Sequence, residues 1–186
     1  TVDIINIQQS NLVVVGFFTP DYYPLASVFS DNLKSHNISH HLYARKKVEG
    51  DWVSQTRQKP SVLKQAFVDY PNSVLVLMDV DCQVRGSIAK LGELAADVGL
   101  RLKRKKQTRL RPCGRVVVLK PTPAAQSFVT SWGLACTGSG SDEGALYKIL
   151  GDSEMHYSIC GLPPIYSGEE VRNATSDAII VHESAS

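Results

Sequence analysis

Residues 73–84, with the sequence SVLVLMDVDCQV, decide the fold of this chain. Five consecutive apolar residues, 74–78, are followed at once by Asp79 and Asp81, two carboxylates separated by a single residue. A short apolar run of this kind is typical of a strand buried on both faces, although a buried helix segment shares the pattern. In open α/β sheets, ligands bind just outside the carboxyl ends of such strands. We therefore expect Asp79 and Asp81 to lie where a central sheet meets its ligand.

The two carboxylates predict a divalent-cation site. If the backbone stays extended, residues two apart point to the same side, so Asp79 and Asp81 repel each other. A bound cation relieves that repulsion, and Mg²⁺ and Mn²⁺ prefer oxygen ligands and often bridge carboxylates to a substrate's phosphates. The alternative interpretation is a pair of solvated acids in a turn.

Strand and helix signals alternate upstream of this stretch. Residues 11–18 and 40–43 predict strands, and amphipathic helices are predicted after Thr19-Pro20-Asp21 and from Lys59-Pro60 onward. The histidines at 36, 40 and 41 are interpreted as surface polarity at a strand edge. The order strand, helix, strand, helix, strand indicates an α/β sheet with parallel strands.

Downstream, the same alternation continues. Residues 87–100 predict a further amphipathic helix, and residues 115–119 predict a strand. Thr122-Pro123 is expected to start one helix. Ser141 or Asp142 would cap the next helix, whose first turn holds acidic residues. Residues 159–166 are expected to be irregular or an edge segment, and residues 178–181 a final short strand.

The composition fits one ordinary domain, residues 1–186. The chain is 43% apolar and 20% charged with a formal net charge of +2, which demands neither nucleic acid nor a membrane as partner. We find no transmembrane segment, because no apolar run approaches the roughly 18 residues of a membrane span, and no signal-peptide pattern opens the chain. The four widely spaced cysteines are interpreted as reduced thiols. We expect a cytoplasmic protein, with a peripheral position at a membrane left open.

Residues 101–111, with the sequence RLKRKKQTRLR, hold seven basic side chains and no acidic one. The simpler interpretation is an exposed loop or a strand edge blunted by charge. The other is a patch from Arg101 to Arg111 for an anionic partner, such as a phosphorylated or membrane-linked acceptor, or nucleic acid. No aromatic residue interleaves the run, which disfavours nucleic acid.

Several short pieces, taken in order, resemble the GT-A-fold glycosyltransferases, the metal-dependent nucleotide-diphospho-sugar transferases. The pieces are TPDY at 19–22, KP at 59–60, LMDVD at 77–81, RVVVLKPTPAAQSFVTSW at 115–132, SDEGAL at 141–146, LPP at 162–164 and IIVH at 179–182. A lone D-x-D is common, so the ordered set, which spans nearly the whole chain, carries the resemblance. It implies a single Rossmann-like GT-A domain with a mostly parallel central sheet and helices on both faces.

The resemblance implies a donor and a metal. The donor would be a nucleoside-diphosphate-sugar, which we expect to be a UDP-sugar, and Thr19 and Tyr22 would hold its base and ribose. Lys59 would lie near the nucleotide-sugar. Asp79 would face the ribose or sugar, and Asp81 would be the main protein ligand of Mn²⁺ or Mg²⁺.

The resemblance also implies where the acceptor reacts. His182 looks like the family's late metal-ligating histidine, which would complete the set Asp79, Asp81 and His182. Asp142 and Glu143 match the acidic pair that faces the acceptor and the transferred sugar. One of these two carboxylates would take the acceptor hydroxyl's proton or stabilise the oxocarbenium-like carbon. The acceptor would be a glycan, a lipid-linked molecule or a protein.

Two other functions stay open. Phosphatases of the haloacid dehalogenase type also place Asp-x-Asp after a strand, but their motif usually continues with Gly-Thr near the chain start. Here Cys82-Gln83 follows, after two earlier strands. The second alternative is a GT-A-like module that binds a nucleotide-sugar or a protein partner without turnover.

Overall fold

The computed structural model describes residues 1–50, 57–105, 109–137, 141–151 and 156–183. The strands in chain order are β1 (Ile4–Asn6), β2 (Leu12–Phe18), β3 (His40–Ala44), β4 (Val74–Met78), β5 (Cys82–Val84), β6 (Val98–Lys105), β7 (Arg109–Leu119), β8 (Ile159–Gly161), β9 (Glu169–Glu170) and β10 (Ile180–His182). The α-helices are α1 (Tyr23–Ser35), α2 (Lys59–Asp69), α3 (Pro123–Ala135) and α4 (Asp142–Leu150). None of the helices in these ranges is long and apolar enough to cross a membrane.

Seven strands form a mixed central sheet in the order β1-β3-β2-β4-β7-β6-β8. Its centre is parallel, since β2 pairs in parallel with both β3 and β4. The pairs β4–β7 and β6–β7 are antiparallel, and β8 adds to β6 in parallel. A second, three-stranded sheet has the order β5-β10-β9. The predicted α/β class is confirmed, with the parallel pairing concentrated around β2.

The sheet is covered on both faces, because alternate residues of its central strands point into different cores. On one face, Val15, Leu77 and Val117 pack with the apolar residues of α2, α3 and α4. On the other face, Val76 and Val118 pack with α1 and the three-stranded sheet. All five residues of β4 are buried, as expected for a strand with helices on both sides.

Two helix starts follow the predicted N-cap chemistry. Thr122 Oγ1 accepts a hydrogen bond from the backbone N–H of Ala125 at 3.1 Å, which fixes the start of α3. Ser141 Oγ does the same for Gly144 at 3.1 Å at the start of α4. Thr19 does not cap a helix, because its hydroxyl donates to Asp21 Oδ1 at 2.6 Å instead.

The helix predicted for residues 87–100 is wrong. The chain forms only a short 3₁₀ helix, Ala89–Glu93, and then enters β6 at Val98. The helical spacing placed Ile88, Leu91 and Ala95 on one apolar face; Ile88 and Leu91 are buried but Ala95 is exposed, so the pattern identified part of the core but not its geometry. Pairing of residues 98–100 with both β7 and β8 overrides the local helical periodicity.

The interpretation of the histidines as surface polarity is wrong for His40 and His41. β3 is not an edge strand, because the unpredicted β1 pairs with its outer side. His40 is buried with its ring nitrogens bonded to Ser30 and Ile38, and burial lowers its pKa. His41 is buried between Tyr70 and Asp3. His36 alone of the three is exposed.

The basic run forms strands in the part of the chain that the structure describes. Residues 101–105 belong to β6 and residues 109–111 to β7, and the two strands pair antiparallel. Residues 106–108 lie outside the described residues, as do residues 51–56 before α2.

Candidate active site at the carboxyl edge of the sheet

The candidate site lies at the carboxyl ends of two parallel central strands. β2 ends at Phe18 and β4 at Met78, so the loop that starts at Thr19 and the Asp79-Val80-Asp81 turn emerge at the same edge of the sheet. The two strands approach closely there, because a side-chain carbon on Gly16 would lie 2.7 Å from the Met78 carbonyl oxygen. Only glycine fits that contact without a shift of the backbone.

Strand β10 brings the end of the chain to the same edge. It pairs antiparallel with β5, so that His182 lies opposite Cys82, and the backbone N–H of Glu183 donates to the Asp81 carbonyl oxygen at 3.2 Å. The structure thus places His182 beside the D-x-D turn although a hundred residues separate them in sequence.

Lys59 is the buried centre of the site. It starts α2 and is only 4% exposed. Its Nζ lies 2.9 Å from Asp79 Oδ1 and 2.8 Å from Asp142 Oδ2, and it donates to the Gly114 carbonyl oxygen at 3.1 Å. Burial alone would lower the pKa of Lys59, but the two carboxylates outweigh it and hold that pKa well above its ordinary value.

Asp142 is fixed in place from several sides. It is 2% exposed at the first position of α4, and its backbone carbonyl accepts from Trp132 Nε1 at 3.1 Å. Gly114 packs under its carboxylate, where an added side-chain carbon would come within 3.1 Å of Oδ2. Asp142 is therefore a buried partner of Lys59 rather than a group open to a ligand.

Glu143 has the opposite environment. Its side chain is exposed, and it lies beside the buried thiol of Cys113 on β7. Burial above all, with the negative charge of Glu143 added, raises the pKa of the Cys113 thiol, which stays protonated at neutral pH. Of the two predicted acids on α4, Glu143 is the one that an incoming molecule can reach.

Asp81 carries a polar atom without a partner. Its Oδ1 is buried and has no hydrogen-bond partner among the described residues. Burial, and next the negative charge of Asp79, raise the pKa of Asp81, although His182 and Arg115 pull it the other way. A buried carboxylate oxygen left unpaired is costly unless a ligand or ion satisfies it.

His182 is held so that one nitrogen is left for a ligand. It is 4% exposed, and its Nδ1 donates to the Gly168 carbonyl oxygen at 2.9 Å. A carbonyl can only accept, so the neutral ring carries its lone pair on Nε2. Arg115 Nη1 donates to the same carbonyl at 3.0 Å, and Gly168 reaches this position with a φ of +69°. A backbone oxygen that fixes the ring is the usual support of a metal-ligating histidine.

The residues fit a divalent cation in part. Within the described residues, no three His, Cys, Asp or Glu side chains converge closely enough to hold a metal by themselves. Asp79, the third predicted ligand, has its Oδ1 turned toward Lys59. Asp81 and His182 offer one oxygen and one nitrogen, so further ligands would have to come from a substrate or water.

The loop after β2 contributes polar and aromatic groups to this edge. Thr19 is buried and bonded to Asp21, which also pairs with the exposed Lys47 at 3.0 Å. The Thr19 hydroxyl and Lys47 lower the pKa of Asp21, so this carboxyl stays ionised. Tyr22 is 41% exposed and presents its ring to solvent at the same end of the sheet.

Some residues of the site were not predicted. The carbonyl oxygens of Gly114 and Gly168 accept from Lys59 and His182, and Arg115 donates to the Gly168 carbonyl. A glycine inside a strand, as at Gly114, is a signal of close approach that could have identified this position. Arg45 directly follows β3 at this edge, and its buried Nε has no hydrogen-bond partner among the described residues.

Comparison with known proteins reveals structural but not sequence similarity. No protein-family model and no curated protein sequence matches the chain. A glycosyltransferase involved in the glycosylation of the major capsid of PBCV-1 is similar over 94% of this chain and 95% of that one, with a TM-score of 0.71 at 10% identity. The galactosyltransferase LgtC, in complex with donor and acceptor sugar analogs, gives a TM-score of 0.60 at 9% identity, covering 93% of this chain and 87% of that one.

A third solved structure, the glycosyltransferase GlyE of Streptococcus pneumoniae TIGR4, covers 94% of this chain but 54% of its own length, with a TM-score of 0.61 at 12% identity. At such identities the similarity concerns the fold. The chain therefore has the GT-A fold of these glycosyltransferases, and the phosphatase alternative is not favoured.

Proposed function

We propose that the protein, as one domain of residues 1–186, is a glycosyltransferase that moves a sugar from a UDP-sugar to an acceptor hydroxyl. The observation that carries the proposal is the pair Asp81 and His182 at the ligand edge of a GT-A fold. Asp81 keeps a buried oxygen unpaired, and His182 is oriented by the Gly168 carbonyl. An unpaired buried oxygen and an oriented imidazole are typical of groups that bind a ligand, whereas purely structural groups are usually paired within the protein.

Asp81 and His182 would hold a divalent cation, Mn²⁺ or Mg²⁺, together with the donor's diphosphate. When bound, the cation supplies positive charge where the nucleoside diphosphate leaves. Arg45 offers an unpaired N–H donor at the same edge. Thr19 and Tyr22 lie at the end of β2, where the base and ribose of the donor would bind.

Lys59 acts in this proposal as a positioning residue. Its Nζ contacts one carboxylate oxygen each of Asp79 and Asp142 and donates to the Gly114 carbonyl. It therefore holds Asp79 so that the other carboxylate oxygen can accept a hydrogen bond from the ribose or sugar. Asp142 balances the buried charge of Lys59 and is too buried to face an acceptor.

Glu143 is the group that would take the proton of the acceptor hydroxyl or stabilise the cationic sugar carbon. It is exposed, directly follows the buried Asp142, and lies in the first turn of α4. An exposed carboxylate is accessible to a bound acceptor, and a general base must be within reach of the proton that it takes.

Donor hydrolysis tests the proposal without knowledge of the acceptor. We expect the protein to hydrolyse one member of a UDP-sugar panel slowly when Mn²⁺ is present and no acceptor is added. Asp81→Ala should reduce that rate by roughly 100-fold or more, because Asp81 would be a ligand of the cation whose charge stabilises the leaving group. Asp31→Ala, which changes an exposed carboxylate on α1, is the matched control and should keep the rate.

Circular dichroism of both variants shows whether the fold is intact. Hydrolysis that survives Asp81→Ala would refute the assigned role. A protein that binds nucleotide-sugars but hydrolyses none of them would instead be the non-catalytic module.

A further inference from the structure

The hairpin of β6 and β7 carries positive charge that the proposed transfer chemistry does not use. β8 pairs with β6 at residues 98–100, and the register of β6 with β7 then shifts between Leu100 and Arg101. Beyond that shift, the described part of the chain pairs β6 with β7 alone. These residues form a two-stranded ribbon at the end of the sheet, and we call Arg101, Lys103 and Arg111 its basic surface.

The basic surface has more positive charge than its neighbours compensate. Lys103 lies directly opposite Arg111 in the antiparallel register, and like charges in that position destabilise a strand pair. Two acidic side chains among the described residues lie near the base of the ribbon. Glu169 contacts Arg101 and lies 3.9 Å from Lys103 Nζ, and Glu143 lies beside Cys113. Glu169 is shared by two cations, and Arg111 is exposed. A bound anion would relieve the remaining repulsion.

The ribbon is connected to the candidate site at its base. Arg101 lies opposite Cys113. Gly114, which follows Cys113, accepts a hydrogen bond from Lys59 through its carbonyl oxygen. Glu169 directly follows Gly168, whose carbonyl fixes His182. Since an antiparallel strand rises about 3.4 Å per residue, Arg111 lies roughly 10 Å along β7 from Gly114. An anionic group bound at the basic surface would therefore lie about one or two sugar units from the part of the same molecule that reaches the candidate site.

We propose that the basic surface binds a phosphate or carboxylate group on the acceptor, so that the acceptor is an acidic or phosphorylated saccharide. This inference rests on the proposed glycosyltransferase function and names its acceptor class. Glu169 already offsets part of the charge, which leaves an excess suited to one anionic group near the site. Among the described residues of the ribbon there is no aromatic side chain on which nucleic-acid bases could stack.

Binding of matched saccharides tests the inference. The protein, saturated with UDP and Mn²⁺ so that the donor site is occupied, is titrated by calorimetry with a panel of disaccharides. Each disaccharide is supplied with and without a phosphate monoester at its reducing end. We expect at least one phosphorylated form to bind about tenfold more tightly than its neutral counterpart, with a preference that shrinks as salt rises.

The variant Lys103→Gln/Arg111→Gln should remove most of that preference, by about three- to tenfold, and leave binding of the neutral form unchanged. The control is Lys34→Gln/Lys90→Gln, which changes two exposed lysines that lie outside the ribbon. This variant should keep the preference for the phosphorylated saccharide. Equal binding of the paired saccharides across the panel, or a preference that survives loss of Lys103 and Arg111, would overturn the inference.

Two further ligands separate this inference from its rivals. Phosphatidylcholine vesicles with 30% phosphatidylserine and a single-stranded 12-mer oligonucleotide are tested with the same variants. Vesicle or oligonucleotide binding that depends on Lys103 and Arg111, without a saccharide preference, overturns the inference in favour of a membrane or nucleic-acid surface. UDP binding is recorded first, because its absence contradicts the proposed function, whereas UDP binding without a saccharide preference contradicts only the acceptor class.

Discussion

At the scale of the residue, the site depends on how buried charges are paired. Lys59 has a higher pKa in the folded protein than in the unfolded chain, because Asp79 and Asp142 outweigh the effect of burial. Stabilisation from a raised lysine pKa is fully present below the ordinary lysine pKa of 10.5 and is lost only as pH rises through the pKa of the folded protein. Lys59 therefore stays charged at every physiological pH, and the two carboxylates keep their partner.

Removal of Lys59 should destabilise the protein strongly. Lys59→Met leaves the 2% exposed Asp142 without a counter-ion, and breaking a buried ion pair in this way costs about 3–5 kcal/mol of unfolding free energy. Urea unfolding measures the change. Lys64→Met, an exposed lysine further along α2, is the control and should stay within about 0.5 kcal/mol of the wild type. Equal stability of the two variants would show that the Lys59 pairs are not formed in solution.

The sequence could predict those site residues that directly follow a recognisable strand. Asp79, Asp81 and Thr19 lie where the buried strands stop, and Ser141, one of the two predicted candidates, caps α4. The supports of the site could not be predicted, because they join distant segments. Lys59 and Gly114 are 55 residues apart, and Arg115 and Gly168 are 53 residues apart. Neither pair shares a local pattern, and only the folded sheet brings them together.

At the scale of the element, the parallel pair β2–β4 sets the geometry of the ligand edge. These strands were predictable because their apolar runs and β-branched residues are local signals. Strand β6 could not be predicted in this way, because residues 98–100 become extended only through their pairing with β7 and β8. The register shift after Leu100 then turns the basic run into a ribbon, which charge density alone does not indicate.

Gly16 is the residue on which the spacing of β2 and β4 depends. In Gly16→Ala the new carbon would meet the Met78 carbonyl oxygen at 2.7 Å, and a backbone atom in the middle of the sheet cannot move aside cheaply. We expect a loss of about 1–3 kcal/mol of unfolding free energy, as overpacking of a core usually gives. Guanidinium unfolding is the measurement.

Gly92→Ala provides the comparison, because its added carbon meets the nearest side chain, that of Leu12, at an ordinary 3.6 Å. It should change stability by no more than about 0.5 kcal/mol. A Gly16 variant as stable as this control would mean that the two strands are further apart than described here.

At the scale of the whole molecule, the two edges of the sheet differ in chemistry. A cleft of about 710 Å³ lies at the amino ends of β2 and β4, lined by residues such as Asn11, Ser39 and Val74. The unpaired Asp81 oxygen, the oriented His182 and the buried Lys59 pairs all lie at the opposite edge. Chemistry and strand direction both favour the carboxyl edge, rather than this cleft, for the proposed donor.

The central claim is that Asp81 and His182 bind a nucleoside diphosphate through a divalent cation, and thermal melting with UDP tests it most directly. With Mn²⁺ present, UDP at a hundredfold excess over its dissociation constant should add about 2.7 kcal/mol of stability and raise the midpoint. Mn²⁺ alone is the reference, and EDTA should abolish the shift. A midpoint that UDP leaves unchanged in Mn²⁺, or raises equally in EDTA, would contradict the metal-bridged donor site.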